Sequence, residues 1–146
     1  MQIKESFLFS LLRFLFGFIF LWAGLDKLIG LGFNTCKIAG ETAYLCSSSL
    51  LKGGAVTAGY LGSSYGPLSQ YFLKLVGQHW VDWTFVALLL IAGLTLVFNK
   101  YVKIGAWVGA LLVIIMYLSH FPSKENPVVD YHLIYFVILV ILAKRG

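Results

Sequence analysis

Apolar residues run along this chain in long blocks, without the short alternation of a half-buried sheet. Four blocks stand out, at 7–28, 80–98, 101–121 and 128–143. A hydrocarbon core of about 30 Å takes about 20 helical residues, so each block predicts a membrane-crossing helix. The fourth is short, which an untilted helix or capping by the preceding loop accommodates. Repeated ten-residue alternating strands are absent, which excludes a β-barrel reading. The first block is longer than a signal core and no small-residue cleavage site follows it, so it is expected to be retained as a span. The pattern predicts an all-α polytopic membrane protein. Residues 1–146 form one membrane domain, a four-transmembrane-helix bundle with a long extracytoplasmic loop at 29–79 between helices 1 and 2.

That loop is not a polar linker, and short amphipathic helices are expected in it. Ser48 to Tyr60 predicts one, capped by its serines. Gly62, Gly66 and Pro67 then break the chain. Leu68, Tyr71, Phe72, Leu75 and Val76 follow at i, i+3, i+4, i+7 and i+8, which predicts an amphipathic helix lying as a lid at the outer interface. Cys36 and Cys46 are the only cysteines; facing an oxidising exterior they are expected to form a disulfide, and without a CxxC spacing they read as a staple, not a redox centre. Gly17 and Gly24 share a face of the first span, and Gly105 and Gly109 form a GxxxG in the third; both permit close helix approach. The short link between the third and fourth spans makes them antiparallel neighbours.

Composition agrees with a bilayer. Hydrophobic residues make up 60% of the chain and charged residues 12%, with mean hydropathy +0.87, which excludes an ordinary soluble domain. Charge sets the orientation. Lys4, Arg13, Lys100, Lys103, Lys144 and Arg145 against Glu5 place +5 on the side of both termini. Lys27, Lys37, Lys52, Lys74 and Lys124 against Asp26, Glu41, Asp82, Glu125 and Asp130 sum to zero on the other. Both termini are therefore expected in the cytoplasm of a prokaryotic plasma membrane. The whole net charge is orientation signal and gives no argument for nucleic acid. Arg13 is expected to snorkel to cytoplasmic water, with an ion pair as the alternative.

Every span brings ionisable groups to the outer end: Asp26 and Lys27, then His79 and Asp82, then His120, then Asp130 and His132 with Tyr131 and Tyr135. Such groups are costly in lipid and survive mainly with partners or a task. A layer of acids, imidazoles and tyrosines suits a quinone head group, whose carbonyls take hydrogen bonds and whose reduction takes protons. Asp130 and His132 are the candidate proton-handling pair, with Asp26, Lys27, His79, Asp82, His120, Tyr131 and Tyr135 lining a quinone or substrate site. Placed two apart in a helix beginning at 128, Asp130 and His132 would point about 200° apart, one into the bundle and the other toward the lid or water. Neither haem nor metal is expected: the histidines share one layer and no c-type attachment motif occurs.

Asn126-Pro127-Val128-Val129-Asp130-Tyr131-His132-Leu133-Ile134-Tyr135 resembles the fourth-span signature of the DoxX/DoxD family. Arg13-Phe14-Leu15-Phe16-Gly17 and Phe20-Leu21-Trp22-Ala23-Gly24-Leu25-Asp26-Lys27-Leu28 are similar to its first helix, and Gly66-Pro67-Leu68 and Ala92-Gly93-Leu94-Thr95-Leu96 extend the likeness. Leu89 stands where many relatives carry an acid. The resemblance implies a small four-helix membrane protein with a role like that of the large subunit of thiosulfate:quinone oxidoreductase. The alternative is a non-catalytic subunit of a larger respiratory membrane complex. The expected partners are lipid, quinone and other membrane chains or further copies of this one.

Overall fold

A computed structural model describes residues 4–37 and 44–146. Among them the structure is all-helical: α1 (Glu5–Ile29), α2 (Ala58–Gly62), α3 (Ser69–Leu73), α4 (His79–Val97), α5 (Val102–Ser119) and α6 (Tyr131–Arg145), with a 3₁₀ turn at Leu50–Lys52. Three helices, α1, α4 and α5, are long and apolar enough to cross a membrane. At 15 residues α6 rises only about 22 Å at 1.5 Å per residue, short of a 30 Å core.

α1 packs on α4, α4 on α5 and α5 on α6. The sequence explains how closely. A Cβ on Gly17 would lie 2.7 Å from the Val97 nitrogen, and one on Gly24 2.9 Å from Leu90 Cδ2, so the shared glycine face of α1 is the α4 interface. Gly93 of α4 returns the contact against the Leu21 backbone. Gly105 abuts Thr95, while Gly109 receives the Phe20 ring. The glycine faces that permit close helix approach are thus occupied within the bundle. Phe16 meets Tyr135 edge-on at 5.2 Å between ring centres, which closes α1 onto α6. Phe16, Phe20, Leu89, Leu96, Ala106, Ala110, Leu139 and Leu142 form the buried core. Opposite it, Leu11, Phe14, Leu15, Phe18 and Ile19 of α1 are exposed, an apolar outer face suited to lipid.

Arg13 is partnered. Its Nη1 donates to the Leu96 carbonyl, one of the orphan acceptors at the C-terminal end of α4, where a cation also meets the negative end of the helix dipole.

The loop between α1 and α4 departs from its predicted helices. The segment expected as one helix over 48–60 splits into the 3₁₀ turn and α2, because Gly53 takes φ 86° and Gly54 passes so close to the Ser48 carbonyl that no Cβ fits. The expected 68–76 lid helix is regular only over α3, with Leu68, Phe72 and Leu75 half-buried and Tyr71 and Val76 exposed. Gly77, at φ 79°, marks its end. Cys36 and Cys46 form the expected disulfide. Replacing both with alanine is expected to cost about 2–3 kcal/mol for a loop of this length, read as a lower melting midpoint in detergent.

Candidate functional site

Asp130 precedes α6. With φ −123° and ψ 178° it is the N-cap, and its Oδ1 accepts from Leu133 N at 3.1 Å. The helix predicted from 128 therefore starts at Tyr131, because the Asn126 side chain holds Val128 and Val129 in a turn by accepting both their N–H groups. This overturns the expectation that Asp130 and His132 point apart. An extended N-cap swings its carboxylate over the first turn, and Asp130 Oδ2 receives His132 Nδ1 at 2.9 Å. One carboxylate thus both caps the helix and fixes an imidazole.

His132 is buried. With Asp130 ionised, Nδ1 carries the donated proton and Nε2 presents its lone pair. Nε2 makes no hydrogen bond among the described residues and is not sealed from the surface. The exposed Tyr131 ring lies 4.1 Å from the imidazole, and Tyr135 follows it at 5.8 Å.

His120 joins this end of the bundle from α5. Its Nδ1 is 2.8 Å from Ser119 Oγ and its Nε2 3.2 Å from Ser63 Oγ. The Tyr60 and Tyr65 rings pack on it at 4.5 and 5.3 Å. Burial, then the neighbouring His132, hold the His120 imidazole below its ordinary value, so it is neutral at pH 7. A histidine lowered on folding favours the fold most above about pH 6.5, and that contribution is lost as pH falls through its folded value. Burial pushes the Tyr60 phenol up to about 12, keeping it a donor; it gives its hydrogen bond to the Met116 carbonyl at 3.1 Å.

The other expected residues gather elsewhere. Asp26, 2% exposed, accepts four backbone N–H groups, from Leu31 and Phe33 on Oδ1 and from Asn34 and Thr35 on Oδ2. It organises the chain leaving α1. Asp82, 1% exposed, takes the Thr57 N–H and hydroxyl on Oδ1 at 2.8 and 2.7 Å. Among the described residues its Oδ2 has no hydrogen-bond partner, with His79 Nδ1 at 3.9 Å. Lys27 lies within electrostatic reach of both carboxylates and lines a groove with Phe18, Trp22 and Phe33.

The single outer layer expected from the sequence is therefore two clusters, one at the α1–α4 end and one at the α5–α6 end. No hydrogen bond or ion pair among the described residues joins them directly. They meet through α2: Thr57 binds Asp82, and Tyr60, three residues on, binds α5. Sequence reasoning missed Thr57, Tyr60, Ser63, Tyr65 and Ser119. The first four had one signal, the density of hydroxyl-bearing residues over 57–65 in an otherwise apolar loop; Ser119 had none.

Compared with family models, curated proteins and solved structures, the chain matches none.

Proposed function

We propose that the chain is a membrane-integral component of a quinone-linked redox system, of the DoxX/DoxD kind, in which Asp130 and His132 handle protons. In this reading α1, α4, α5 and α6 all cross the bilayer and both termini are cytoplasmic, following the charge asymmetry. The observation that carries the reading is the half-buried carboxylate–imidazole bond. Asp130 fixes the tautomer, so Nε2 is the open site, and the same carboxylate stabilises the imidazolium when Nε2 is protonated.

The surroundings fit a quinone head group: a tyrosine ring tilted against the imidazole, a second tyrosine one turn on, and an imidazole nitrogen without a hydrogen-bond partner among the described residues. Quinone supplies the electron acceptor, taking two electrons and two protons. Thiosulfate is the donor class the DoxX/DoxD resemblance suggests, two molecules joining as tetrathionate with release of two electrons. Once protonated, His132 Nε2 would be the proton donor toward a quinone oxygen, and Asp130 would hold the ring in place while it is recharged.

The test is thiosulfate-dependent quinone reduction by the assembly extracted in mild detergent. Asp130→Asn and His132→Gln are each expected to lower turnover about 100-fold, the usual scale of general acid–base catalysis, with helicity intact. Wild-type turnover in both variants sinks the proton-handling role. A wild-type chain without turnover that copurifies with haem- or copper-bearing chains supports the accessory-subunit reading instead.

A further inference from the structure

We propose that the bundle carries a specific site for an anionic phospholipid, whose phosphodiester is gripped by Arg13 of α1 and Arg145 of α6. The site lies at the other end of α6 from Asp130 and His132 and does not depend on the reading given to that pair.

Both arginines line one surface cavity of about 160 Å³, together with Ser10 and Asn99. A single water needs only about 10–15 Å³ of such space, so a polyatomic group fits. Phe9, Val102 and Leu142 give the cavity its apolar wall, and no acidic side chain among the described residues lines it.

Each guanidinium is held in place by a contact that leaves donors over. Arg13 spends one N–H on the Leu96 carbonyl, which pins it at the C-terminal end of α4. Arg145 lies over the Phe9 ring, 3.7 Å from its centroid, a contact that uses the planar face of the guanidinium and none of its N–H groups. A guanidinium has five N–H donors, and among the described residues no ion pair forms to either arginine. Two cations lining one cavity without a counter-ion call for an anion, and the fork of an arginine matches a phosphate through paired N–H···O bonds. Asn99, held in the left-handed region at φ 55°, adds a neutral carboxamide to the same wall.

The position selects a lipid over a soluble anion. Asn99 and Val102 belong to the turn between α4 and α5, where Phe98 and Tyr101 are 65% and 77% exposed. Aromatic rings exposed at the ends of two apolar helices mark the headgroup level of a bilayer. The cavity bridges α1 and α6, and both helices carry exposed apolar residues, Leu8, Leu11 and Leu15 on one and Val137 and Ile141 on the other. Acyl chains have those surfaces to follow while the phosphate meets the arginines. The surrounding charge favours a lipid with net negative charge, since Lys100, Lys103 and Lys144 stand at this end against Glu5.

The test is a lipid titration of the full-length protein in mild detergent, with bound lipid counted by native mass spectrometry. Wild type is expected to bind phosphatidylglycerol about tenfold or more tightly than phosphatidylcholine, and excess inorganic phosphate is expected not to displace it. Arg13→Gln and Arg145→Gln should each weaken phosphatidylglycerol about tenfold, the scale of a lost charge-assisted hydrogen bond, with phosphatidylcholine unchanged. Lys103→Gln removes the same charge at the same end without lining the cavity, and should keep wild-type affinity. Arg145 is exposed at the end of its helix, so its variant tests the site even if Arg13→Gln loosens α1 from α4. Equal affinity for the two lipids, or wild-type affinity in Arg145→Gln, overturns the proposal. So does a loss in Lys103→Gln as large as in the arginine variants, which reduces the effect to bulk charge, and so does displacement by inorganic phosphate, which makes the cavity a soluble anion's site.

Discussion

Asp26→Ala is expected to lower stability by about 3–5 kcal/mol, the range for removing one partner from a buried charged arrangement. Among the described residues, the carboxylate is the only acceptor for the N–H groups of Leu31, Phe33, Asn34 and Thr35. Each donor left buried without a partner costs about 1–3 kcal/mol, and the loop recovers part of this by peeling toward water. Leu31 to Thr35 lead straight into Cys36, whose Sγ occupies the place a Gly30 side chain would take, so the disulfide is seated on the same turn. Three readouts should move together: the melting midpoint falls, amide protection over 31–35 disappears, and the disulfide reduces faster. Asp26→Asn, which keeps one acceptor oxygen, should fall between. A wild-type midpoint with those amides still protected removes Asp26 from this role.

Gly93→Val is expected to cost about 3 kcal/mol or more by prising α1 from α4. A Cβ at Gly93 would meet Leu21 N at 2.5 Å and Leu21 Cα at 2.6 Å, which are backbone atoms of a packed helix and cannot rotate away. Replacing a mid-helix glycine by alanine gains about 1 kcal/mol of propensity, while overpacking typically costs 1–3 kcal/mol, so even Gly93→Ala should come out destabilising. Valine adds two methyl groups to the same clash. Gly59→Ala is the control: nothing lies within 4 Å of a Cβ there, so the propensity gain should appear alone. Equal melting midpoints for Gly93→Val and wild type would mean that α1 and α4 do not meet through this contact.

These two residues show where local pattern stops. Asp26 reads from sequence as one more polar group at a helix end, and nothing in its neighbours says that the chain turns back to place four N–H groups on it. Gly93 reads as a small residue in an apolar span; its partner Leu21 lies in another helix. The Gly17 and Gly24 pair was legible because two glycines seven apart define a face whatever packs there.

Apolar length and helical period are properties of contiguous residues, so the sequence alone determined the long helices, their glycine faces, the disulfide pairing and the terminal charge excess. The candidate site was legible only as residue types. Asp130 and His132 stood out, but their bond exists because Asn126 holds Val128 and Val129 in a turn and delays the helix to Tyr131, making Asp130 a cap. The outer groups divided into two clusters because Thr57 reaches Asp82 and Tyr60 reaches Met116, contacts 25 and 56 residues apart in the chain. Only the tertiary structure decided these. A buried polar group must be matched by whatever donor or acceptor the fold brings beside it, and that partner is set by how the helices pack, not by the residues next to it in sequence.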